Sequence, residues 1–180
     1  MYHNTLEEII MSFNLYIMRH AKSDWSTDVS DFDRPINERG IKNAKRIAIW
    51  MQENNMLPEL ILCSTAVRAK QTVEQFDNII TDETKEQINF DRQLYLADAE
   101  TILDKIKLFQ HGVKSLMIIA HNPGLDYLVN QLSRNSLPYD KKGKLMTTAS
   151  LAIFRYANTN FTPVVDQTDD MQIIRPKELD

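Results

Sequence analysis

Short apolar segments alternate with segments of helical periodicity along this chain, and the alternation limits the folds that it can adopt. Three segments have the length and composition of strands buried on both faces: residues 13–18, 60–63 and 115–120. Weaker strand signals follow at residues 88–90, 149–156 and 171–174, and we predict the last two to be an antiparallel edge pair.

The segments between these strands predict helices. Asn37 is a suitable N-cap for the first helix, and Ser64 or Thr65 for the second. Asp98 can cap a later helix, and Pro123 stands where the first turn of the last helix would begin. The predicted buried face of the first helix consists of Ile41, Ala44, Ala48 and Met51. Strands that alternate with helices indicate an α/β fold, a three-layer α/β/α sandwich with a mainly parallel sheet.

We find no repeat or linker that would divide the chain, so we predict one domain over residues 13–180 behind an N-terminal extension, residues 1–12. A formal net charge of −4 does not indicate a surface that would bind the negatively charged backbone of a nucleic acid. The apolar runs are too short to cross a membrane, and the N-terminus lacks the basic and apolar regions of a signal peptide. We therefore expect a cytoplasmic protein that acts as a monomer.

Glycine is scarce, and this scarcity excludes one kind of phosphate site. The chain has 4 glycines among 180 residues. They are too far apart for a G-x-G-x-x-G turn or a P-loop. A phosphate or nucleotide would have to be bound by other groups.

Charged and titratable residues follow three of the predicted strands at the point where each strand ends. Arg19 and His20 follow the first strand, and Arg68 lies in the first helical turn after the second. His121 follows residues 115–120. Ligands bind beyond the carboxyl ends of the strands in open parallel sheets, so these four side chains predict a site.

The residue types indicate phosphate chemistry. Two guanidiniums offer forked and permanently charged donors that match phosphate oxygens. One imidazole can attack phosphorus as a nucleophile, and a second can donate to the phosphoryl oxygens in the transition state. Guanidiniums can also supply the positive charge that Mg²⁺ supplies in other phosphoryl-transfer sites, so we expect no metal and no cofactor.

Four motifs in order resemble those of the histidine phosphatase superfamily. They are MRHAKSDW at residues 18–25, RPINERG at 34–40, CSTAVRAKQT at 63–72 and AHNPGL at 120–125. The chain is most similar to the short SixA-like branch, the phosphohistidine phosphatases, from about Leu15 to the C-terminus. The resemblance implies a phosphoglycerate mutase-like fold and a metal-independent phosphatase.

The resemblance also implies a role for each site residue. His20 becomes the nucleophile that is phosphorylated, and Arg19, Arg68 and His121 form the phosphate pocket. Ala21 replaces the glycine of the superfamily's founding motif, and the short branch tolerates this change. Lys22 and Trp25, on the loop after the nucleophile, are candidates for the substrate entrance by position.

The general acid is not identified by the sequence. Larger members of the superfamily use a carboxylic acid to protonate the leaving group, and here Asp98 and Glu100 are the candidates. Asp98 is equally well explained as a helix N-cap. Imidazole needs protonation less than an alkoxide does, because its conjugate acid has a pKa of about 6.5. The favoured substrate is therefore phosphohistidine on a phosphocarrier or phosphotransfer protein.

These residues also allow other interpretations. Small phosphomonoesters remain possible substrates, and a module that binds phosphate or a phosphoprotein without hydrolysis is the alternative from another class. Cys63 and Arg68 have the spacing C-x4-R, one residue short of the cysteine phosphatase loop. Asp31 and Asp33 are similar to the D-x-D motif of haloacid dehalogenases but follow no buried strand. Lys141, Lys142 and Lys144 are either a solvated loop, the simpler interpretation, or a docking patch for an acidic partner.

Overall fold

A computed structural model describes residues 12–26, 28–157, 162–163, 166, 168 and 170–179. The N-terminal extension predicted at residues 1–12 lies outside these ranges except for Ser12. None of the described helices combines the length and hydrophobicity that a transmembrane span requires.

Six strands among these residues form one sheet in the order β3-β2-β4-β1-β5-β6. The strands are β1 (Phe13–Arg19), β2 (Leu60–Ser64), β3 (Ile88–Asp91), β4 (Ser115–Ala120), β5 (Leu151–Tyr156) and β6 (Met171–Ile174). The pairs β1–β4, β2–β4 and β2–β3 are parallel, and β5 pairs antiparallel with both β1 and β6. The mainly parallel sheet and its antiparallel edge pair are confirmed.

Within the described residues, five helices connect or cover the strands, together with short 3-10 turns. They are α1 (Glu38–Glu53), α2 (Val67–Val73), α3 (Asp82–Glu86), α4 (Ala99–Phe109) and α5 (Gly124–Leu132). Alternate side chains of the strands pack against α4 and α5 on one face of the sheet, and against α1 and α2 on the other. The predicted three-layer α/β/α sandwich is therefore confirmed.

Two details of the helices differ from the sequence predictions. Ile41 is 37% exposed, because the buried face of α1 turns toward Gly40, Ala44 and Ile47 instead. Neither Ser64 nor Thr65 caps α2, whose N-cap is Ala66 without a side-chain hydrogen bond. The Ser64 hydroxyl contacts a histidine of the site described below.

Two of the scarce glycines allow helices to approach backbone closely. A Cβ atom on Gly40, in the first turn of α1, would lie 2.4 Å from the carbonyl oxygen of Lys22. A Cβ atom on Gly124, the first residue of α5, would lie 2.0 Å from the carbonyl oxygen of Ala97. These glycines therefore bring helix starts against loops, and we expect a larger side chain to displace the backbone at both places.

Candidate active site

The carboxyl ends of β1, β2 and β4 bring the predicted residues together. His20 directly follows β1, His121 directly follows β4, and Arg68 lies in the first turn of α2 after β2. The ring centroids of His20 and His121 are 4.8 Å apart. The Arg68 guanidinium joins the two rings, because its Nε donates to His20 Nε2 at 3.2 Å and its Nη2 donates to His121 Nδ1 at 3.2 Å.

The tautomer of His20 follows from its hydrogen bonds. Its Nε2 accepts from Arg68, so the ring proton lies on Nδ1, which donates to the carbonyl oxygen of Ala21 at 2.7 Å. Burial, the neighbouring His121 and the two arginines hold the pKa of His20 well below its usual value of 6.5. The ring is therefore neutral at pH 7, with a nucleophilic lone pair on Nε2.

His121 is held in the opposite tautomer. Its Nδ1 accepts from Arg68, and its Nε2 donates to the Ser64 hydroxyl at 2.8 Å. Burial and the charge of Arg68 lower the pKa of His121 to about 3. Because a serine hydroxyl can donate as well as accept, Ser64 can also stabilise the tautomer whose proton lies on Nδ1. In that tautomer Nδ1 can donate to an anion in the site.

Arg68 is fixed from the outer side by a loop that precedes α1. Its Nη2 pairs with Asp31 Oδ2 at 2.9 Å, and its Nη1 donates to the Asp31 carbonyl oxygen. The Tyr95 hydroxyl donates to the same carboxylate oxygen at 2.7 Å. Burial acts to raise the pKa of Asp31, but the hydrogen bond from Tyr95 and the charge of Arg68 outweigh it and lower the pKa. Asp31 is therefore an ionised partner of Arg68.

Arg19, the last residue of β1, has spare hydrogen-bonding capacity. Its Nη1 donates to the carbonyl oxygen of Met146 at 2.8 Å. Its Nε is buried and has no hydrogen-bond partner among the described residues. A buried guanidinium nitrogen without a partner is a donor that an anion can satisfy.

The two candidate acids lie at the start of α4. Asp98 is the N-cap of this helix, and its side chain accepts from the Thr101 amide at 2.8 Å. That hydrogen bond lowers the pKa of Asp98, whereas a general acid needs a raised pKa. Glu100 is exposed in the first turn of α4.

The two entrance candidates have different surroundings. Lys22 lines a surface groove together with Arg19. Trp25 is 71% exposed, and its ring stacks under the Arg34 guanidinium at 3.6 Å from the ring centroid.

Asp31, Tyr95 and Ser64 contact the site but were not predicted to belong to it. Asp31 was considered only as part of a motif of another phosphatase class, and Ser64 only as a helix cap. Tyr95 lies between β3 and α4, and its ring contacts His121 edge-on with centroids 5.4 Å apart. Two arginines and two histidines that converge on one sheet edge are a signal for a carboxylate partner in the polar loop.

Cys63 is not positioned or ionised as a nucleophile. Its side chain is fully buried in β2, and burial raises the pKa of the thiol. Within the described residues, no group of three or more His, Cys, Asp or Glu side chains is arranged to hold a metal ion.

An α/β sandwich with paired guanidiniums and imidazoles at adjacent strand ends defines an enzyme class that handles phosphate. The model of the histidine phosphatase superfamily, branch 1, matches residues 15–95. The chain belongs to this superfamily, within its SixA-like branch, and is a phosphatase.

Individual relatives agree with this assignment. A solved structure from Agrobacterium tumefaciens, assigned as a phosphohistidine phosphatase SixA, is 32% identical and has a TM-score of 0.69 over 78% of this chain and 90% of its own. The phosphohistidine phosphatase SixA of Escherichia coli K12 is 26% identical over 77% of this chain and 82% of its own. A protein histidine phosphatase SixA complexed with tungstate shares the fold at 22% identity, with a TM-score of 0.72 over 93% and 100% of the two chains.

Proposed function

We propose that this phosphatase hydrolyses phosphohistidine on proteins by transferring the phosphoryl group to His20. The observation that carries the proposal is a neutral His20 whose Nε2 lone pair faces Arg68, beside His121. A nucleophile needs this lone pair, and a transferred phosphate needs the surrounding donors. The names of the Agrobacterium and E. coli relatives support the substrate class.

The first step forms a phosphoenzyme. Nε2 of His20 attacks phosphorus, a P–Nε2 bond forms, and the bond between phosphorus and the leaving group breaks with its electron pair going to that group. Before this, the phosphate replaces the hydrogen bond between Arg68 and His20 Nε2, and Arg19 and Arg68 bind its oxygens. The Nδ1–H bond to Ala21 stabilises the positive charge that the ring acquires.

The second step releases inorganic phosphate. A water oxygen attacks phosphorus, the P–Nε2 bond breaks, and the electron pair returns to His20. The water loses a proton to solvent or to the departed leaving group. Arg19, Arg68 and His121 stabilise the same phosphoryl oxygens in both transition states, because the donors stay in place while the nucleophile changes.

Leaving-group chemistry favours phosphohistidine over alkyl phosphates. The carboxyl groups of Asp31 and Asp98 both have lowered pKa values, so neither is suited to protonate an alkoxide. An imidazole leaves with far less assistance, since its conjugate acid has a pKa of about 6.5. We further propose that the protein acts as a cytoplasmic monomer on a phosphocarrier or phosphotransfer protein.

The experiment compares substrates and variants in the presence of EDTA. Wild type, His20→Ala and Cys63→Ser are assayed on a phosphohistidine protein, on a phosphoserine peptide and on p-nitrophenyl phosphate. We expect wild type and Cys63→Ser to hydrolyse phosphohistidine, His20→Ala to be inactive, and only proteins with His20 to form an acid-labile phosphoenzyme.

The outcomes separate the alternatives. Hydrolysis by His20→Ala would refute the nucleophile. A clear preference for alkyl phosphomonoesters would refute the substrate class and favour a small-molecule phosphatase. Phosphate binding without turnover of any substrate would favour the non-catalytic module.

A further inference from the structure

A groove beside the site collects positive charge that the proposed chemistry does not use. Its volume is about 310 Å³, and Arg19 belongs to both the groove and the site. The other cations that line it are Lys22, Arg39, Lys142, Lys144 and Lys177. They come from the loop after β1, the first turn of α1, the segment before β5 and the 3-10 turn at Pro176–Glu178.

Six cations line the groove against a single carboxylate among the described residues, so its positive charge is only partly balanced there. Lys22, Arg39, Lys142 and Lys177 form no salt bridge with a described residue, whereas Lys85, Lys105 and Lys107 elsewhere each pair with an aspartate. Cations that line one groove repel one another, and an acidic ligand would relieve this repulsion.

Asp140 is the one acidic residue among the described residues of the lining, and its charge attracts Lys144. Its Oδ1 accepts from the amide of Lys142 at 2.9 Å and from the amide of Lys144 at 2.8 Å. These hydrogen bonds turn the chain so that both lysines line the groove. Two lysines of the run at residues 141–144, Lys142 and Lys144, therefore line a concave surface that also includes Arg19.

The shape of the surface distinguishes a protein ligand from a small one. A second hollow, of about 440 Å³, shares Arg19 and Lys144 with the groove. Tyr127 and Tyr139 line this second hollow and are 63% and 58% exposed. A small bisphosphate would fill one hollow, whereas a folded protein can cover both. Exposed tyrosines are also typical of protein interfaces.

The residue types agree with this distinction. A site that holds a second phosphate at a fixed position would be expected to use buried arginines such as Arg68, because a guanidinium binds phosphate with two hydrogen bonds. Exposed lysines are hydrated point charges on flexible chains, and such charges attract an oppositely charged partner and accelerate its association.

We propose that the basic groove binds acidic side chains next to the phosphohistidine of the substrate protein. This inference rests on the proposed function and specifies its substrate: a phosphohistidine flanked by Asp or Glu. The phosphohistidine enters between Arg19 and Arg68, while the flanking carboxylates contact Lys142, Lys144 and their neighbours.

The test uses two phosphohistidine peptides of equal length, one with Asp and Glu flanking the histidine and one with Asn and Gln. Wild type is compared with Lys142→Glu/Lys144→Glu and with Lys45→Glu/Lys114→Glu, which makes the same change in net charge at exposed lysines outside the groove. We expect wild type to prefer the acidic peptide at least about fivefold in kcat/KM at low salt. The groove variant loses this preference and the control keeps it.

Salt provides a second measurement. Because exposed charges are screened, the preference of wild type falls as ionic strength rises from about 0.01 to 1 M. Equal kcat/KM for the two peptides in wild type, or an unchanged preference in Lys142→Glu/Lys144→Glu, would overturn the inference while leaving the proposed function intact.

Two further outcomes have separate meanings. Failure to hydrolyse either peptide would refute the proposed function itself. If instead the groove variant lost a preference for an alkyl bisphosphate over an alkyl monophosphate, the groove would be a subsite for a second phosphate of a small molecule, and the protein-docking inference would be wrong.

Discussion

Two neutral imidazoles beside two guanidiniums are the central feature at the scale of single residues. Burial is the largest cause of the lowered pKa values of His20 and His121, and neighbouring positive charge adds to it. In this arrangement His20 has a lone pair on Nε2, and His121 has an N–H that donates to Ser64. It also makes the stability of the fold depend on pH, because an unfolded chain protonates both rings near pH 6.5.

We predict that wild type loses stability as the pH falls below 6.5 and that His121→Asn loses less. His121 has a pKa of about 3 when folded and about 6.5 when unfolded, so its contribution is fully present above pH 6.5 and is lost progressively toward pH 3. At pH 5 the loss from this ring is about 2 kcal/mol.

Urea unfolding at pH 7 and pH 5 measures this difference. His111→Asn, at an exposed histidine, should show the same difference between the two pH values as wild type. If His121→Asn also matched wild type, the neutral state of His121 would be wrong.

The site residues divide into those that sequence reasoning could identify and those that it could not. Arg19, His20 and His121 are tied to strand ends, and a strand end is a local feature of the sequence. Asp31 and Tyr95 reach the site only because the loop before α1 and the segment after β3 fold against Arg68. Asp31 lies 37 residues before Arg68 in the sequence, and Tyr95 lies 27 residues after it. Contacts of this kind leave no periodic signal.

At the scale of elements, the starts of the helices show which local features the sequence predicts correctly. Asn37 accepts from the Gly40 amide and Asp98 from the Thr101 amide, so both predicted caps are confirmed. The cap predicted at Ser64 or Thr65 was wrong, because a serine can bind either a helix amide or a distant side chain. Propensity does not indicate which of the two partners it will bind.

The two possible roles of Asp98 predict different behaviour for two variants. We expect Asp98→Asn to keep the melting temperature and the phosphatase activity, because asparagine is an equally good N-cap. Asp98→Ala should lower the melting temperature while hydrolysis of phosphohistidine persists. Circular dichroism and the assays described above test both.

If Asp98 were a general acid, its substitution would affect the two kinds of substrate differently. If Asp98→Asn slowed hydrolysis of alkyl phosphomonoesters much more than that of phosphohistidine, Asp98 would protonate the leaving group despite its lowered pKa. Glu100→Gln is the matched change at the neighbouring acidic position.

The order of strands determines the site at the scale of the whole molecule. The alternating pattern predicted strands, helices and layers, but it could not predict that β4 lies between β1 and β2 or that β5 pairs with β1. Pairing with β5 has a direct effect on the site, because the Ala149 amide donates to the carbonyl oxygens of Arg19 and His20. An oxyanion bound by Arg19, Arg68 and His121 would connect the ends of β1, β2 and β4.

We predict that vanadate raises the melting temperature of wild type by roughly 5–10 °C at about 100 times its Kd, since ligand at that concentration adds about 2.7 kcal/mol. Arg19→Gln should lose most of this shift. Arg46→Gln on α1 should keep it. Scanning fluorimetry in EDTA makes the measurement, and a full shift in Arg19→Gln would contradict the role of Arg19 in oxyanion binding.

The position of β4 also affects when the enzyme can first work during its own synthesis. A ribosome makes β1 and β2 early, yet the two strands do not touch, and the strand that joins them begins about 50 residues after β2 ends. At roughly 5–20 residues per second, this is a delay of several seconds. During that interval the nascent chain carries His20 and Arg68 but has no sheet to hold them together. Each new molecule therefore remains unable to act as a phosphatase until translation has passed His121.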